Sequence, residues 1–427
     1  MVQFPTISNA DPEKMDFGVF DAFHEKLAEL YPLLHGHLTR TIVGRANLLY
    51  HWTSPRSTAG KAPVILMAHQ DVVPTGDPAK WTYPPFSGTI ADGCVWGRGS
   101  GDCKSVILGE MEAVESLIAE GFVPDYDIYL AYSENEEVMI EKKGAKELVA
   151  WFAAKGIHPG AVLDEGGGIE KTEHGYVCRA QLGEKAFQDY EFYQECAGGH
   201  SMAPGRGTAL GAVCRAIAAV EEHPFPYRLT PLVESELKAL SQSLTGRKQE
   251  VYADPAAHFD ELCAYAADDR MLDALLHTTC AATMASASFQ SNVLPDRAAI
   301  IVNVRVLEGD TIESVMAHFQ SIIPANVKVR LVFGEDPGRS ASVDSRIYRL
   351  IEKIAKDTYG QSTVMVPCLL PGGTDARFYQ AISDHVFRHT GYLEDARRSG
   401  AHQPNEKVPV DTLATGCAFY RKFLKEY

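Results

Sequence analysis

Several short apolar runs in this chain end in a histidine or an acidic residue, and this pattern constrains the fold most. Residues 64–68 are apolar and are followed by His69-Gln70-Asp71. Side chains two residues apart lie on the same side of an extended strand, so His69 and Asp71 would point to one side. A neutral imidazole beside a carboxylate is a typical metal ligand together with the partner that orients it. The pattern therefore predicts strands that present metal ligands at one edge of a sheet.

Further acidic residues follow other apolar runs, and a second histidine lies far along the chain. These candidates are Asp102, Glu136-Glu137, Asp164 and His402. Two carboxylates about 4 Å apart repel by roughly 4 kcal/mol at an effective dielectric of about 20, so a cluster of four would be costly without cations. Two divalent ions would balance these charges. Because the ligands are nitrogen and oxygen without a thiolate, the pattern predicts two zinc ions in a hydrolytic site, with cobalt or manganese as alternatives.

Each motif also has an interpretation without metal. The glycine-dense segment 97–101 could bind phosphate, but its glycines do not match a dinucleotide-binding or P-loop motif. We therefore interpret it as a tight loop that presents Asp102. Adjacent glutamates usually lie on a solvated helix face, and Asp-Glu-Gly is a common turn. A single loop histidine is normally solvated, so the residues alone support His402 only weakly.

The order of the predicted elements indicates an α/β fold. The predicted helices are 17–39, 104–120 and 144–156, and the predicted strands are 47–52, 63–68, 126–132 and 160–163. Alternating elements of this kind form a sheet that helices cover on both faces. In such sheets the chemistry gathers at strand ends, where the candidate ligands fall. We therefore predict a mixed sheet with a two-metal site at its edge.

From about residue 184 the pattern changes to β-α-β-β-α-β, which is a ferredoxin-like unit. Its predicted strands and helices are 187–196, 207–221, 279–289, 297–306, 311–323 and 326–333. A charged and mostly helical segment, about 228–275, is inserted within it. The α/β pattern resumes at about residue 343. We therefore predict a catalytic domain formed by 1–183 and 335–427, with a second domain, 184–334, inserted into it.

Composition excludes several classes of partner and location. The 427 residues exceed one ordinary core, and the formal net charge of −16 argues against nucleic acid and anionic membrane surfaces. No apolar stretch approaches the roughly 20 residues of a membrane span, and the first residues lack the pattern of a signal peptide. The nine cysteines are dispersed without a C-x-x-C pair. This distribution predicts reduced thiols and a cytoplasmic protein.

In its ordered motifs the chain resembles the M20 family of metallopeptidases, and specifically its carboxypeptidase S-like branch. The matching pieces are residues 67–74 (MAHQDVVP), 81–88 (WTYPPFSG), 97–99 (GRG), 135–138 (NEEV), 164–167 (DEGG), 199–204 (GHSMAP), 292–295 (NVLP) and 373–377 (GTDAR). They occur in the family's order. Residues 133–135 and Met139-Ile140, which flank the paired glutamates, depart from the common pattern, and so does Cys103. No proposed metal ligand is lost by these changes.

The resemblance implies a role for each candidate in the catalytic domain. His69 and Asp164 would bind one metal, Glu137 and His402 would bind the other, and Asp102 would bridge them. Asp71 would orient His69. Glu136 would be the general base, which takes a proton from the attacking water and returns it to the leaving amine. The resemblance also implies a cis peptide bond between Asp102 and Cys103.

The inserted domain resembles the family's lid or dimerisation domain. By motif, His200 would help to stabilise the oxyanion, and Asn292 and Arg305 would hold the carboxylate of the substrate. The turn Gly372-Gly373-Thr374 would add backbone donors. Each of these residues could instead be structural, as a turn residue, a strand cap or a surface charge. Pairing of two lid domains would make a homodimer, although the segment 228–275 could occupy the pairing surface.

The predicted activity is hydrolysis of an amide bond next to a free carboxylate. Our first hypothesis is a carboxypeptidase or dipeptidase that acts on short peptides. The alternative within the same class is an N-acyl-amino-acid hydrolase, because its substrates also present an amide beside a carboxylate. A non-catalytic binder of amino-acid conjugates is a further hypothesis. It would require loss of Glu136 or of a metal ligand, and neither is lost.

Overall fold

The computed structural model describes residues 1–56, 61–138 and 143–427, so Met139 and Ile140 lie outside the described residues. The chain divides into two compact units. The first unit contains Met1–Leu182, Ala341–Cys368 and Thr374–Tyr427. The second unit contains Gly183–Ser340 and Leu369–Gly373. In the described part of the chain, every helix is too short or too polar to cross a bilayer.

The first unit is built on a large mixed sheet. Its strands are β1 (Thr39–Val43), β2 (Asn47–Trp52), β3 (Val64–His69), β6 (Ile128–Ser133), β7 (Ala161–Asp164), β8 (Gly168–Thr172), β9 (Gly175–Glu184), β16 (Val364–Leu370) and β17 (Val386–Arg388). The order is β1-β2-β6-β3-β7-β17-β9-β16, and β8 pairs with β9. The four central strands, β6, β3, β7 and β17, run parallel to one another. A smaller sheet has the order β18-β5-β4 and contains β4 (Thr89–Ala91), β5 (Cys94–Trp96) and β18 (Lys407–Pro409).

Helices complete the first unit. They are α1 (Phe17–Leu30), α2 (Pro32–His37), α3 (Lys104–Ala119), α4 (Gly144–Ala154), α11 (Arg346–Tyr359), α12 (Ala376–Tyr379) and α13 (Val410–Glu426). All six residues of β3 are buried, as expected for a central parallel strand. The predicted single helix over 17–39 is wrong in one respect. Pro32 begins a new helix, α2, because proline lacks the N–H that would continue α1.

The second unit contains a four-stranded antiparallel sheet with the order β12-β14-β10-β15. Its strands are β10 (Ala186–Glu195), β12 (Thr279–Ser286), β14 (Arg297–Val306) and β15 (Lys328–Gly334), and a separate pair is formed by β11 (Gly199–His200) and β13 (Val293–Leu294). The helices α5 (Ala209–Glu222) and α10 (Ile312–Ile322) supply Val213 and Phe319 to one core with the sheet. The chain order is therefore β-α-β-β-α-β, as the sequence predicts.

The inserted segment of the second unit is helical. It forms α6 (Pro231–Ser241), α7 (Gly246–Ala253), α8 (Phe259–Ala266) and α9 (Arg270–Leu276). The buried ammonium group of Lys185 donates hydrogen bonds to the carbonyl oxygens of Ala274 and His277 and to the hydroxyl of Thr279. These bonds satisfy a buried charge and attach the end of α9 to the sheet.

The mixed α/β class expected from the sequence is confirmed.

Candidate metal centre

The parallel strands of the first unit bring the candidate ligands to one edge of its sheet. β3 lies between β6 and β7, and all three strands run in the same direction. His69 is the last residue of β3, the glutamate pair follows β6, and Asp164 ends β7. Carboxyl ends of neighbouring parallel strands share one edge of a sheet, which is where such folds place their active sites. The topology therefore explains why three distant motifs meet.

His69 is the centre of the cluster. Its side chain is only 2% exposed. The Nε2 atom lies 3.0 Å from Oδ1 of Asp102 and 3.4 Å from Oε1 of Glu165. The Nδ1 atom lies 3.0 Å from the backbone oxygen of Asp71 and 3.4 Å from its carboxylate. A hydrogen bond at Nδ1 fixes the ring and leaves Nε2 to face the acidic groups.

Asp71 contacts the backbone of the glutamate pair as well as the imidazole of His69. Its buried carboxylate accepts the backbone N–H of Glu136 at 2.9 Å and the backbone N–H of Glu137 at 3.0 Å. The sequence prediction gave Asp71 a role toward the imidazole alone. The structure adds that the same carboxylate holds the backbone of both glutamates. Asp71 therefore connects the end of β3 to the segment that follows β6.

Asp102, Glu137 and His402 form the second part of the cluster. The Nε2 atom of His402 lies 2.8 Å from Oε2 of Glu137 and 3.3 Å from Oδ2 of Asp102. Single ligand-type atoms of His69, Asp102 and Glu137 all lie within 4.8 Å of one another. The peptide bond between Asp102 and Cys103 is cis, as the resemblance implies. Asp102 thus has one histidine near each of its two oxygens.

The protonation of this cluster reflects its concentrated negative charge. Burial raises the pKa of Glu137 to about 7. Hydrogen bonds to Asp102 and then to Glu137 raise the pKa of His402 to about 10. Burial opposes ionisation of Asp102, but hydrogen bonds from His402 and His69 hold its pKa well below the usual range. In the metal-free chain His402 therefore carries a proton between two carboxylates, where a divalent cation would compensate the same charges.

The two adjacent acids at the end of β7 lie in different surroundings. Asp164 is still part of the strand, and its Oδ2 accepts the backbone N–H of Ala376, the first residue of α12. Val162, two residues earlier, packs in the same core as Ala376. Successive side chains of a strand alternate between faces, so Asp164 is directed to the α12 face. Glu165 is the first residue past the strand, and its carboxylate reaches His69 instead.

The ligand set predicted from the sequence contains Asp164 and omits Glu165, although Glu165 is the acid that contacts His69. Among the described residues, the groups of mutually close ligand-type atoms contain Glu165 and do not contain Asp164. Burial, followed by the charge of Glu165, raises the pKa of Asp164 well above its usual range. The Asp-Glu-Gly motif contains both acids, so the signal was present. The choice between them depends on the direction of each side chain.

Cys103 lies at the same cluster. Its thiol is fully buried, and its sulfur accepts the backbone N–H of His69 at 3.2 Å and lies 3.4 Å from the backbone oxygen of His69. Burial raises the pKa of this thiol well above its usual value. Ligand-type atoms of His69, Cys103 and Glu165 also lie within 4.8 Å of one another, so the sulfur belongs to this cluster. The same sulfur contacts the backbone of His69 and supports it.

The remaining predicted residues are mostly in the second unit. His200 is exposed, and its Nδ1 accepts the backbone N–H of Met202 at 3.1 Å. Asn292 is adjacent to this segment, since its backbone oxygen accepts the N–H of Ser201 at 3.0 Å. Arg305 lies on β14, where its guanidinium is 4.9 Å from the ring centre of Phe187 and donates to Asn303. The structure thus groups His200 with Asn292 and places Arg305 on the sheet.

The turn Gly372-Gly373-Thr374 divides between the units. Gly372 and Gly373 belong to the second unit, and Thr374 belongs to the first. The buried hydroxyl of Thr374 accepts hydrogen bonds from the N–H of Ala376 and from Nε of Arg388. Thr374 and Asp164 therefore share one donor, the backbone N–H of Ala376.

The donor set fits divalent cations. Among the described residues, the groups of mutually close ligand-type atoms contain His69, Asp102, Glu137, Glu165 and Cys103, which are buried or half-buried, and the side chain of His402 beside them is 56% exposed. Burial is the first cause that raises the pKa of Glu137 and the pKa of Glu165. A group of carboxylates that resists ionisation without a counter-charge is stabilised by a bound cation. Nitrogen and oxygen ligands in this combination suit zinc, cobalt or manganese.

Comparison with known proteins gives the class of the chain. The profile of the family described as Peptidase family M20/M25/M40 matches residues 65–426. This match covers most of the 427 residues, so the protein belongs to this family. It is a metal-dependent hydrolase of the M20 peptidase class, and the resemblance read from the motifs is confirmed.

The chain is similar along most of its length to individual members of this family. The chain is 28% identical over 442 residues to "Probable carboxypeptidase S-like 2" of Dictyostelium discoideum, an alignment that covers 99% of this chain and 82% of the relative. It is 26% identical over 436 residues to "N-fatty-acyl-amino acid synthase/hydrolase PM20D1" of Bos taurus, with coverage of 99% and 86%. The crystal structure of the M20 family metallo-carboxypeptidase Sso-CP2 from Sulfolobus solfataricus has the same fold, with a TM-score of 0.71, 17% identity and coverage of 99% and 96%.

Proposed function

We propose that this protein is a dinuclear metallopeptidase that hydrolyses the amide bond next to a free carboxylate and releases the last residue of short peptides. The main support is the convergence of His69, Asp102, Glu137 and His402 within hydrogen-bond distances, with the backbone of Glu136 held beside them. Membership of the M20 peptidase family supports the same activity.

We assign the metal ligands from these contacts. His69 and Glu165 would hold one cation, Glu137 and His402 would hold the other, and Asp102 would bridge them. Glu165 replaces Asp164 in this assignment, because Glu165 contacts His69 and Asp164 contacts the start of α12. Zinc is our proposed metal, since the set combines imidazole and carboxylate ligands.

The bound metals would supply Lewis-acid polarisation of the scissile carbonyl and a water of lowered pKa. Glu136 would take a proton from that water through its carboxylate and return it to the leaving nitrogen. The residue is suited to this role because its side chain is buried and its backbone is fixed by Asp71 at 2.9 Å. Asp71 contributes by holding His69 and Glu136 in one frame.

The second unit would supply the contacts to the substrate. His200 accepts an N–H at Nδ1, so its neutral ring carries the proton on Nε2, which can donate to a developing oxyanion. Asn292 and Arg305 would bind the free carboxylate, with backbone donors from Gly372 and Gly373 and support from Thr374. A guanidinium is well suited to this recognition because it binds carboxylates in a fork geometry.

Metal removal and a substrate panel test the proposal. Dialysis against a chelator should abolish hydrolysis of dipeptides and of peptides with a blocked N-terminus, and two equivalents of zinc should restore it. Amidation of the peptide carboxylate should remove most of the activity. Elemental analysis would give the metal and its stoichiometry. Full activity in the chelated protein, or equal rates on amidated peptides, would contradict the proposal.

A second candidate activity is hydrolysis of N-acyl amino acids. The similarity to the "N-fatty-acyl-amino acid synthase/hydrolase" of Bos taurus favours it. The same metal centre would serve both reactions, because both substrates present an amide beside a carboxylate. Rates on N-acyl amino acids with short and long chains, measured beside the peptide panel, would separate the two activities.

We also propose a homodimer that forms through the second unit. β12 is an edge strand of its sheet, and the residues along it are largely exposed. Met284 on this strand is 68% exposed, and Phe289, just beyond it, is 89% exposed. An open strand edge with exposed apolar side chains can pair with a second copy.

Light scattering after size-exclusion chromatography tests this arrangement. Wild-type protein should elute with twice the mass of one chain, and Met284→Lys should shift it toward the monomer. Val332→Lys is the matched control, because Val332 is 49% exposed on β15, the opposite edge of the same sheet. A monomeric wild-type protein, or equal effects of both variants, would exclude pairing through β12.

We further propose that the protein works in the cytoplasm. The structure describes all nine cysteines as thiols, as expected for a reducing compartment. Isolation of the native protein with a disulfide between any of them would contradict this location.

A further inference from the structure

Glu406 is a buried carboxylate that lies four residues after His402. It is fully shielded from solvent, with 0% of its surface exposed. Its four hydrogen-bond donors all come from residues 98–102, the loop that ends in Asp102. Nη1 of Arg98 and the N–H of Gly99 donate to Oε2 at 2.6 Å and 3.1 Å, and the N–H groups of Gly101 and Asp102 donate to Oε1 at 2.8 Å and 3.1 Å.

These contacts explain the glycine-dense loop. Successive backbone N–H groups that point inward form a concave anion site, which proteins often use for phosphate. Here the anion is the carboxylate of Glu406. Gly99 has a φ of 81°, and a Cβ atom on it would lie 2.5 Å from Cγ1 of Val72. Only glycine satisfies this position, because it has no Cβ and adopts positive φ without penalty.

The same residue joins two segments that carry candidate ligands. The N–H of Gly97 donates to the backbone oxygen of Glu406 at 2.9 Å, so the side chain and the main chain both bind the loop. Across this connection, Nε2 of His402 lies 3.3 Å from Oδ2 of Asp102. Displacement of Glu406 would therefore change the distance between a bridging ligand and a terminal one.

We propose that Glu406 is a positioning residue that sets the geometry of Asp102 relative to His402. This proposal rests on the proposed metal centre. Glu406 is directed at backbone N–H groups and a guanidinium, so it acts through Asp102 and does not itself bind metal. Residues that hold a metal ligand in place typically change metal affinity by about 10- to 100-fold when replaced.

Glu406→Gln tests the role while it preserves the size of the side chain. An amide can accept at one atom only, so one pair of N–H donors would face an NH2 group. We expect an about 10- to 100-fold weaker affinity for at least one zinc ion, measured by competition with a chelator. The d–d spectrum of the cobalt-loaded variant should change as well. Excess zinc should restore much of the turnover.

Glu191→Gln is the matched control. Glu191 is also a buried carboxylate, and it accepts from Arg297 at 2.8 Å and Arg330 at 2.7 Å, but it belongs to the second unit. Its replacement should lower thermal stability without any change in zinc affinity or in the cobalt spectrum. A comparable loss of stability in both variants, with a loss of metal affinity only in Glu406→Gln, would support a positioning role.

Two outcomes would overturn the proposal. Wild-type zinc affinity and an unchanged cobalt spectrum in Glu406→Gln would exclude positioning while the metal centre stands. A wild-type chain that binds no divalent metal would overturn the metal centre and this role together. If Glu406→Gln does not reach a wild-type circular dichroism spectrum, the same titration with Arg98→Lys decides, because that change weakens the 2.6 Å contact and keeps the three backbone N–H donors to Glu406. We expect a smaller loss of affinity there, and no loss would again exclude the role.

Discussion

Replacing Glu136 by Gln is expected to lower kcat by about 10²- to 10⁴-fold while both metals stay bound. The amide keeps the size of the side chain but cannot accept a proton from water. The backbone N–H of Glu136 would still donate to Asp71 at 2.9 Å, so the local structure should persist. Hydrolysis rates on a peptide substrate would measure kcat, and elemental analysis of the same sample would measure the metal content.

The neighbouring residue provides the control. Glu137→Gln removes a carboxylate that lies 2.8 Å from His402, so it should lower metal content as well as activity. Glu136→Gln should be inactive with full metal content, and Glu137→Gln should be inactive with reduced content. Near-normal turnover in Glu136→Gln would refute its assignment as the general base.

Replacing Glu165 by Gln is expected to lower the metal affinity of one of the two proposed sites by more than about 100-fold. Residues that only hold a ligand in place typically change metal affinity by about 10- to 100-fold, and a ligand itself should have a larger effect. The reason is that the Glu165 carboxylate lies 3.4 Å from Nε2 of His69 and is the acid of its motif that contacts this imidazole. Zinc titration of the metal-free variant should show one strong site instead of two. Activity at low zinc should fall in parallel.

Asp164→Asn is the matched comparison, because it changes the adjacent acid by the same chemistry. Asp164 accepts the N–H of Ala376 at 3.1 Å, and asparagine can still accept that bond. We expect nearly unchanged zinc affinity and a loss of stability of about 1–3 kcal/mol from altered buried hydrogen bonding. The reverse pattern, with zinc binding lost in Asp164→Asn and kept in Glu165→Gln, would restore the ligand set predicted from the motifs.

The sequence predicted the elements that depend on local pattern. The apolar run before His69 identified β3, whose predicted bounds, 63–68, differ by one residue at each end from the observed Val64–His69. The β-α-β-β-α-β order of the second unit was equally readable, because each element has its own hydrophobic period. The helical pattern over 17–39 failed at one point, since apolar spacing continued across Pro32 although the helix could not. Leu30, the last residue of α1, is 47% exposed.

The parts that sequence could not supply are directions and distant contacts. Nothing in the order Asp164-Glu165 states which side chain faces α12 and which faces His69. That result follows from the point where β7 ends and from the register of its neighbours. The role of Glu406 was missed for a related reason. Its carboxylate accepts the N–H of Asp102, and the two residues are 304 positions apart in the sequence. A buried acid that serves as an internal anion cannot be distinguished from a surface acid without its partners.

The separation between Glu406 and the loop that it supports affects how the protein is made. A ribosome completes the Asp102 loop roughly 300 residues before it adds the carboxylate that fills it, and at about 5–20 residues per second this delay is at least 15 seconds. During translation the backbone N–H groups of this loop therefore lack the carboxylate to which they donate in the folded chain. Since His402 lies four residues before Glu406, chains truncated before this segment should not form the proposed dinuclear centre.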